Sequence, residues 1–136
     1  MLDPATAQQL LEENFAAWVQ ALHPRITRID PEAAVLEIPI RPDIARVGGI
    51  VCGQALATLA DTAMVFACAG HLGGFRPVAT TNLETRFLSA AKGDSVRCTA
   101  RVIKGGRAMI FAEALLERLP DGVPVAAASA TFYLPS

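Results

Sequence analysis

Charge is sparse in this chain and neither sign dominates. Asp, Glu, Lys and Arg together make up 18% of the 136 residues, and the formal net charge is −1. Without a Lys/Arg run or a basic helical stripe, the electrostatic footprint of a nucleic-acid binder is missing, and so is that of a helix on an anionic membrane. Cysteine is equally thin. Cys52, Cys68 and Cys98 are odd in number, widely spaced and lack a CxxC pair, which argues against a disulfide framework or a zinc site. His23 and His71 are the only histidines, so no metal site is expected. The N-terminal MLDPATAQQLLEENF has neither a basic stretch nor a continuous apolar run, so no secretory signal is expected, and the cytoplasm is the expected compartment.

Apolar residues are plentiful, at 52%. That composition predicts one folded domain over residues 1–136, which is too short for two ordinary domains. Asp3-Pro4 reads as an N-cap followed by an N1 proline, and Leu10, Leu11, Phe15, Trp18, Val19 and Leu22 recur at helical spacing. A helix is predicted over residues 4–22, with Phe15 and Trp18 in core or interface packing. RITRID and AVLEIPI read as strands around the turn DPEA, followed by the loop RPDIARVGG. Beyond a long apolar segment and the loop GHLGGFRP come four strand-like runs: VATTNLETRFL, DSVRCTARVI, AMIFAEALLE and VPVAAASATFYL. Turn signals join the later runs, which predicts an antiparallel meander. The order is helix, two strands, long helix, four strands, an α+β pattern.

The apolar segment GGIVCGQALATLADTAMVFACAG, residues 48–70, holds one charged side chain, Asp61. Its length reaches that of a membrane span, but a central aspartate costs about 2.5–3.5 kcal/mol on insertion scales. A helix apolar nearly all round is otherwise a buried one. Gln54, Thr58, Asp61 and Thr62 share one face, so the buried helix carries a narrow polar stripe. Asp61 is then either a site carboxylate or a structural ion pair with Arg46 or Arg86. The glycine-rich start, Gly48-Gly49 and Cys52-Gly53, offers unpaired amides at the positive end of the dipole. The Gly53 amide could polarise a carbonyl as an oxyanion hole does.

These residues resemble the PaaI-type acyl-CoA thioesterases of the hotdog-fold superfamily. CGQALATLAD matches that family's glycine and acidic residue eight positions later. The blocks TTNLETRFLSAAKGDSVRCTARVIKGGRAMIFAEALL and PVAAASATFYLP match its later strands. The resemblance implies a hotdog fold, in which an antiparallel sheet wraps a long central helix, here with an additional N-terminal helix. It further implies Asp61 as the catalytic carboxylate and Gly53 as the oxyanion amide, with Thr80 (Thr81 being one register away) and Arg46 near the nucleophilic water. Cys52 stands where the family usually has histidine, and Gln54 where it has a second glycine. Both fall beside the substrate with Thr62 and Thr81, and Lys104 and Arg107 are candidates for the phosphates of coenzyme A.

Eight residues of helix separate Gly53 from Asp61, a rise of about 12 Å. One thioester with its attacker about 3 Å away cannot use both groups from one chain. Two-fold pairing of subunits solves this, and the resemblance implies dimers that pair into tetramers. The predicted reaction is hydrolysis of acyl-CoA to free acid and CoA. Asp61 acts as general base or as nucleophile, and no cofactor is needed beyond the CoA of the substrate. Cys52, at a helix N-terminus, is a rival nucleophile, but lies about 180° round the helix from Asp61. A non-catalytic acyl-CoA binding protein is the alternative that the Cys52 and Gln54 departures raise. A hotdog hydratase would want a site histidine, which neither His23 nor His71 provides.

Overall fold

A computed structural model describes residues 2–136. Helix α1 spans Pro4–Asn14 and α2 spans Ala17–Gln20. Strands β1 (Arg25–Ile29) and β2 (Ala34–Pro39) lead to a small hairpin, β3 (Ala45–Arg46) and β4 (Ile50–Val51). Helix α3 covers Gly53–Leu72, followed by β5 (Ala79–Phe87), β6 (Ser95–Gly105), β7 (Met109–Leu119) and β8 (Pro124–Tyr133). Six strands form one antiparallel sheet in the order β1-β2-β6-β7-β8-β5, and α3 lies in its concave face. This is the hotdog fold.

Small residues let the sheet close on the helix. Ala55, Ala60, Ala63, Ala67 and Ala69 of α3 are buried, and so are Ala112, Ala114, Ala128 and Ala130 on the inner face of β7 and β8. Gly70 takes this to its limit, since a Cβ there would strike the Asp30 carbonyl, so the turn between β1 and β2 rests directly on α3. Helix α3 is long and apolar enough to cross a membrane, but 67% of that stretch is buried inside the fold. The outer sheet face carries ion pairs across strands, Arg97 to Glu117 at 3.3 Å and Arg101 to Glu113 at 2.7 Å. Such exposed pairs contribute little each.

Three local expectations change. The helix predicted over 4–22 breaks at Phe15 and Ala16, both in extended conformation. The Gln20 amide donates to the carbonyls of Glu12 at 3.0 Å and Phe15 at 2.6 Å, satisfying groups that α1 leaves open at its end. The predicted meander holds for β6-β7-β8, but β5 crosses over to pair with β8 at the sheet edge. The loop RPDIARVGG contains β3 and the turn of the β3–β4 hairpin, made at Gly48 and Gly49 with φ of 92° and 73°, a region open to glycine.

Candidate active site

Asp61 sits in the middle of α3, partly buried, on the side facing β5. Its carboxylate accepts a hydrogen bond from the Thr80 hydroxyl at 2.9 Å. Neither Arg46 nor Arg86 approaches it as an ion-pair partner among the described residues, and Arg86 instead lies 3.8 Å from Glu84. The structural-tie reading of Asp61 therefore fails. Burial pushes its pKa above the ordinary carboxylate value, and the Thr80 hydrogen bond offsets part of that rise.

A register shift between Thr80 and Asn82 marks a bulge in β5. The bulge separates the two neighbouring threonines: Thr80 turns to Asp61, while the Thr81 hydroxyl donates to the Thr131 carbonyl at 3.1 Å. Such irregularities re-aim single side chains. The two threonines of the polar stripe bond within the helix, and Gln54 is exposed. Thr58 donates to the Gln54 carbonyl and the buried Thr62 to the Thr58 carbonyl, both at 2.8 Å. Asp61 is the member of the stripe that bonds to another element, β5.

The sequence-predicted Asp61 and Gly53 fall into two separate cavities. Asp61, Thr58 and Thr62 line one of about 190 Å³, with Phe15, Trp18, Val65 and Leu83. Gly53 and Arg46 line another, of about 440 Å³, with Leu56, Phe87 and Ser89. Gly53 is the first residue of α3, where an amide has no intrahelical acceptor. The Cys52 amide is engaged with the Ile44 carbonyl at 2.9 Å, so Gly53 offers the first open donor. Between the cavities, on the same face of β5, Thr85 has a hydroxyl oxygen buried without a partner among the described residues.

Lys104 and Arg107 flank the β6–β7 turn, where Gly105 packs on His71 near the C-terminal end of α3. That end lies about 27 Å along the helix from Gly53, so one chain does not bring these cations to its own Gly53 amide. Cys68 and Cys98 are buried; burial pushes the Cys68 thiol up to about 12 and raises that of Cys98 too. Neither is a nucleophile. The aromatics divide: Phe66 and Phe132 are fully buried, whereas Phe87, Phe111 and Tyr133 are exposed. Trp18 and Leu83 were not legible beside Asp61, because only the α1–α2 break and the β5 crossover bring them there, whereas Val65 follows Asp61 by four residues on α3 and shares its face by spacing alone.

Comparison with known proteins agrees with this architecture. The thioesterase superfamily model matches residues 48–125, more than half of the chain, so the protein belongs to that superfamily, a class of thioester hydrolases. The match does not resolve a PaaI-type branch within it. Solved structures that superpose include a thioesterase candidate from a Silicibacter species (26% identical, TM-score 0.88, covering 100% of this chain and 94% of that one). Another is a conserved protein from Pseudomonas aeruginosa (26% identical, TM-score 0.82, covering 91% and 98%). Zebrafish thioesterase superfamily member 2 is 24% identical with a TM-score of 0.87, covering 99% and 100%; at that identity it speaks for the fold alone. No curated protein sequence matches.

Proposed function

We propose that this protein hydrolyses acyl-CoA thioesters at a site assembled from two copies of the chain. The observation that carries this reading is the carboxylate of Asp61, partly buried and without a cation, held by Thr80 in a cavity separate from the Gly53 amide. A two-fold pairing of α3 helices sets the Gly53 amide of one copy against the Asp61 cavity of the other, giving two equivalent sites. The edge strand β5 supports the pairing. It leaves Leu83 and Phe87 exposed, with Trp18 beside them at 64%, and a long uncovered edge is a pairing surface. Phe111, Leu115 and Tyr133 on the outer sheet face suit a further pairing of dimers into a tetramer.

In this site the Gly53 amide and the dipole of α3 stabilise the oxyanion that forms on the thioester carbonyl. Asp61 takes the proton of a water held with Thr80, the water oxygen bonds to the carbonyl carbon, and the carbon–sulfur bond then breaks. CoA leaves as the thiol, taking that proton, and the acid is released. Direct attack by Asp61 through an anhydride uses the same geometry. Arg46, beside Gly53, is placed to orient the substrate or the water. Cys52 and Gln54 border that amide and replace the family's histidine and glycine without removing it. Lys104 and Arg107 remain the candidates for the CoA phosphates.

The test is thiol release from short, long and aromatic acyl-CoAs, with Asp61→Asn alongside wild type. Turnover of at least one substrate by wild type, and a loss of about two orders of magnitude or more in the folded variant, is the expected result. A fully active variant would remove Asp61 from the chemistry. Binding of acyl-CoA by wild type without any turnover would favour the ligand-binding alternative.

A further inference from the structure

The cavity beside Asp61 has an apolar wall that hydrolysis itself does not require. Phe15, Trp18, Val19, Val65 and Leu83 line it around the carboxylate, bordering a half-open space of about 190 Å³. Two of these reach it because α1 breaks. Phe15 leaves the helix and stacks on the buried Phe66 with ring centroids 5.4 Å apart, and Phe66 is backed in turn by Phe75 at 5.9 Å. The short α2 then carries Trp18 to the mouth, clamped through Gln20. Trp18 is the chain's sole tryptophan and is 64% exposed.

We infer that Trp18 is a specificity-determining residue that closes the acyl side of the site and restricts it to compact acyl groups, about one ring in size. The inference rests on Asp61 being the catalytic carboxylate. Asp61, or the water it holds, must lie about 3 Å from the carbonyl carbon in a reactive complex, so one substituent of that carbon enters the cavity. The CoA arm is long and polar, whereas the cavity beyond Asp61 is apolar, and the Thr58 and Thr62 hydroxyls there are already donating within the helix. The acyl group is the substituent that fits.

An apolar cavity of about 150 Å³ accepts benzene, so the walled part of this half-open cavity, about 190 Å³, holds a single ring or a short branched chain. A decanoyl or palmitoyl chain needs an exit. The fully buried Phe66, stacked between the partly buried Phe15 and Phe75, backs one wall, which leaves the more exposed Trp18 as the removable one.

The experiment measures kcat/KM for acetyl-, butanoyl-, benzoyl-, phenylacetyl-, decanoyl- and palmitoyl-CoA with wild type, Trp18→Ala and Val65→Phe. Wild type is expected to favour the compact members. Trp18→Ala should raise decanoyl- relative to benzoyl-CoA by on the order of tenfold, and Val65→Phe should lower benzoyl- relative to acetyl-CoA by a similar factor. In parallel, the single tryptophan of wild type reports binding of an unreactive thioether analogue of benzoyl-CoA. Its fluorescence should shift with the analogue and stay put with free CoA. A wild-type preference for palmitoyl-CoA, a profile that neither variant moves, or no fluorescence shift at saturating analogue would overturn the assignment. A wild type inert toward every member sinks the hydrolase reading instead, and the fluorescence arm then decides by itself whether a ring binds beside Trp18.

Discussion

Strands β5 and β7 pair with the same neighbour, β8, and present alternate residues to the same concave face, but they are buried quite differently. On β7, Ile110, Ala112, Ala114 and Leu116 are all buried, at 6% exposure or less. On β5 the inward residues Thr80, Leu83, Thr85 and Phe87 include none that is fully buried. β7 lies between two strands and over the alanine-rich side of α3. β5 has a neighbour on one edge only and faces the stripe that carries Asp61. Stability is therefore concentrated in the middle of the sheet. Asp61 and Thr80, the candidate site groups, lie where the fold leaves side chains exposed.

The contrast breaks most sharply in a mixing experiment. Gly53→Pro deletes the amide at an N1 position, where proline suits a helix, and the preceding Cys52 already has the extended backbone (φ −67°, ψ 152°) that proline requires. A Cβ at this position would lie 3.1 Å from the exposed ring of Phe87, which is free to move aside. Gly53→Pro and Asp61→Asn should each be inactive alone. Refolded together, they should recover roughly a quarter of wild-type thiol release, because half of the dimers are mixed and one of their two sites is intact. No recovery, with mixed dimers shown by native mass spectrometry, would place Gly53 and Asp61 in different roles.

A smaller effect separates the strands by stability. Leu116→Ala on β7, at a fully buried site, should lower unfolding free energy by about 2–5 kcal/mol at every protein concentration. Leu83→Ala on β5, 38% exposed in the single chain, should act mainly through association. Its melting temperature should then fall below that of wild type in concentrated samples and converge with it on dilution, where neither protein associates. Equal, concentration-independent losses would erase the distinction between the two strands.

The smallest expected change is a shift on the pH axis. Asp61 must be ionised to act, so activity rises with pH through its pKa, which burial raises and Thr80 lowers. Thr80→Val removes the lowering contribution, and the ascending limb of the kcat/KM profile should move to higher pH. The stability linkage runs the other way. A carboxyl whose pKa is raised by folding contributes stability below its unfolded pKa and loses it as pH rises through the folded value. Asp61→Asn should therefore unfold less readily than wild type at neutral pH and show no such gain in acid.

Much of this was legible along the chain because it depends on short spacings. The α3 helix, its one carboxylate, the open amide at Gly53 and the β6-β7-β8 run follow from period, turn residues and glycine placement over a few positions. The break at Phe15 and Ala16 was not. No glycine or proline marks it, and it forms because Phe15 finds Phe66 and Gln20 finds the open carbonyls of α1. The choice of Thr80 over Thr81 was equally hidden, since a bulge against β8 decides it.

By itself, then, the sequence determined that one domain would enclose an alanine-rich helix with a solitary Asp61, and that Gly53 lay too far along that helix to share a reacting carbon with it. Tertiary structure alone decided that β5 would cross to the edge beside β8, bring Thr80, Leu83 and Phe87 over the polar stripe, and leave Asp61 and Gly53 in separate cavities. Periodicity is set by neighbours within a turn or a strand. Strand order is chosen by contacts between segments far apart in the chain, where closing the whole core selects one pairing.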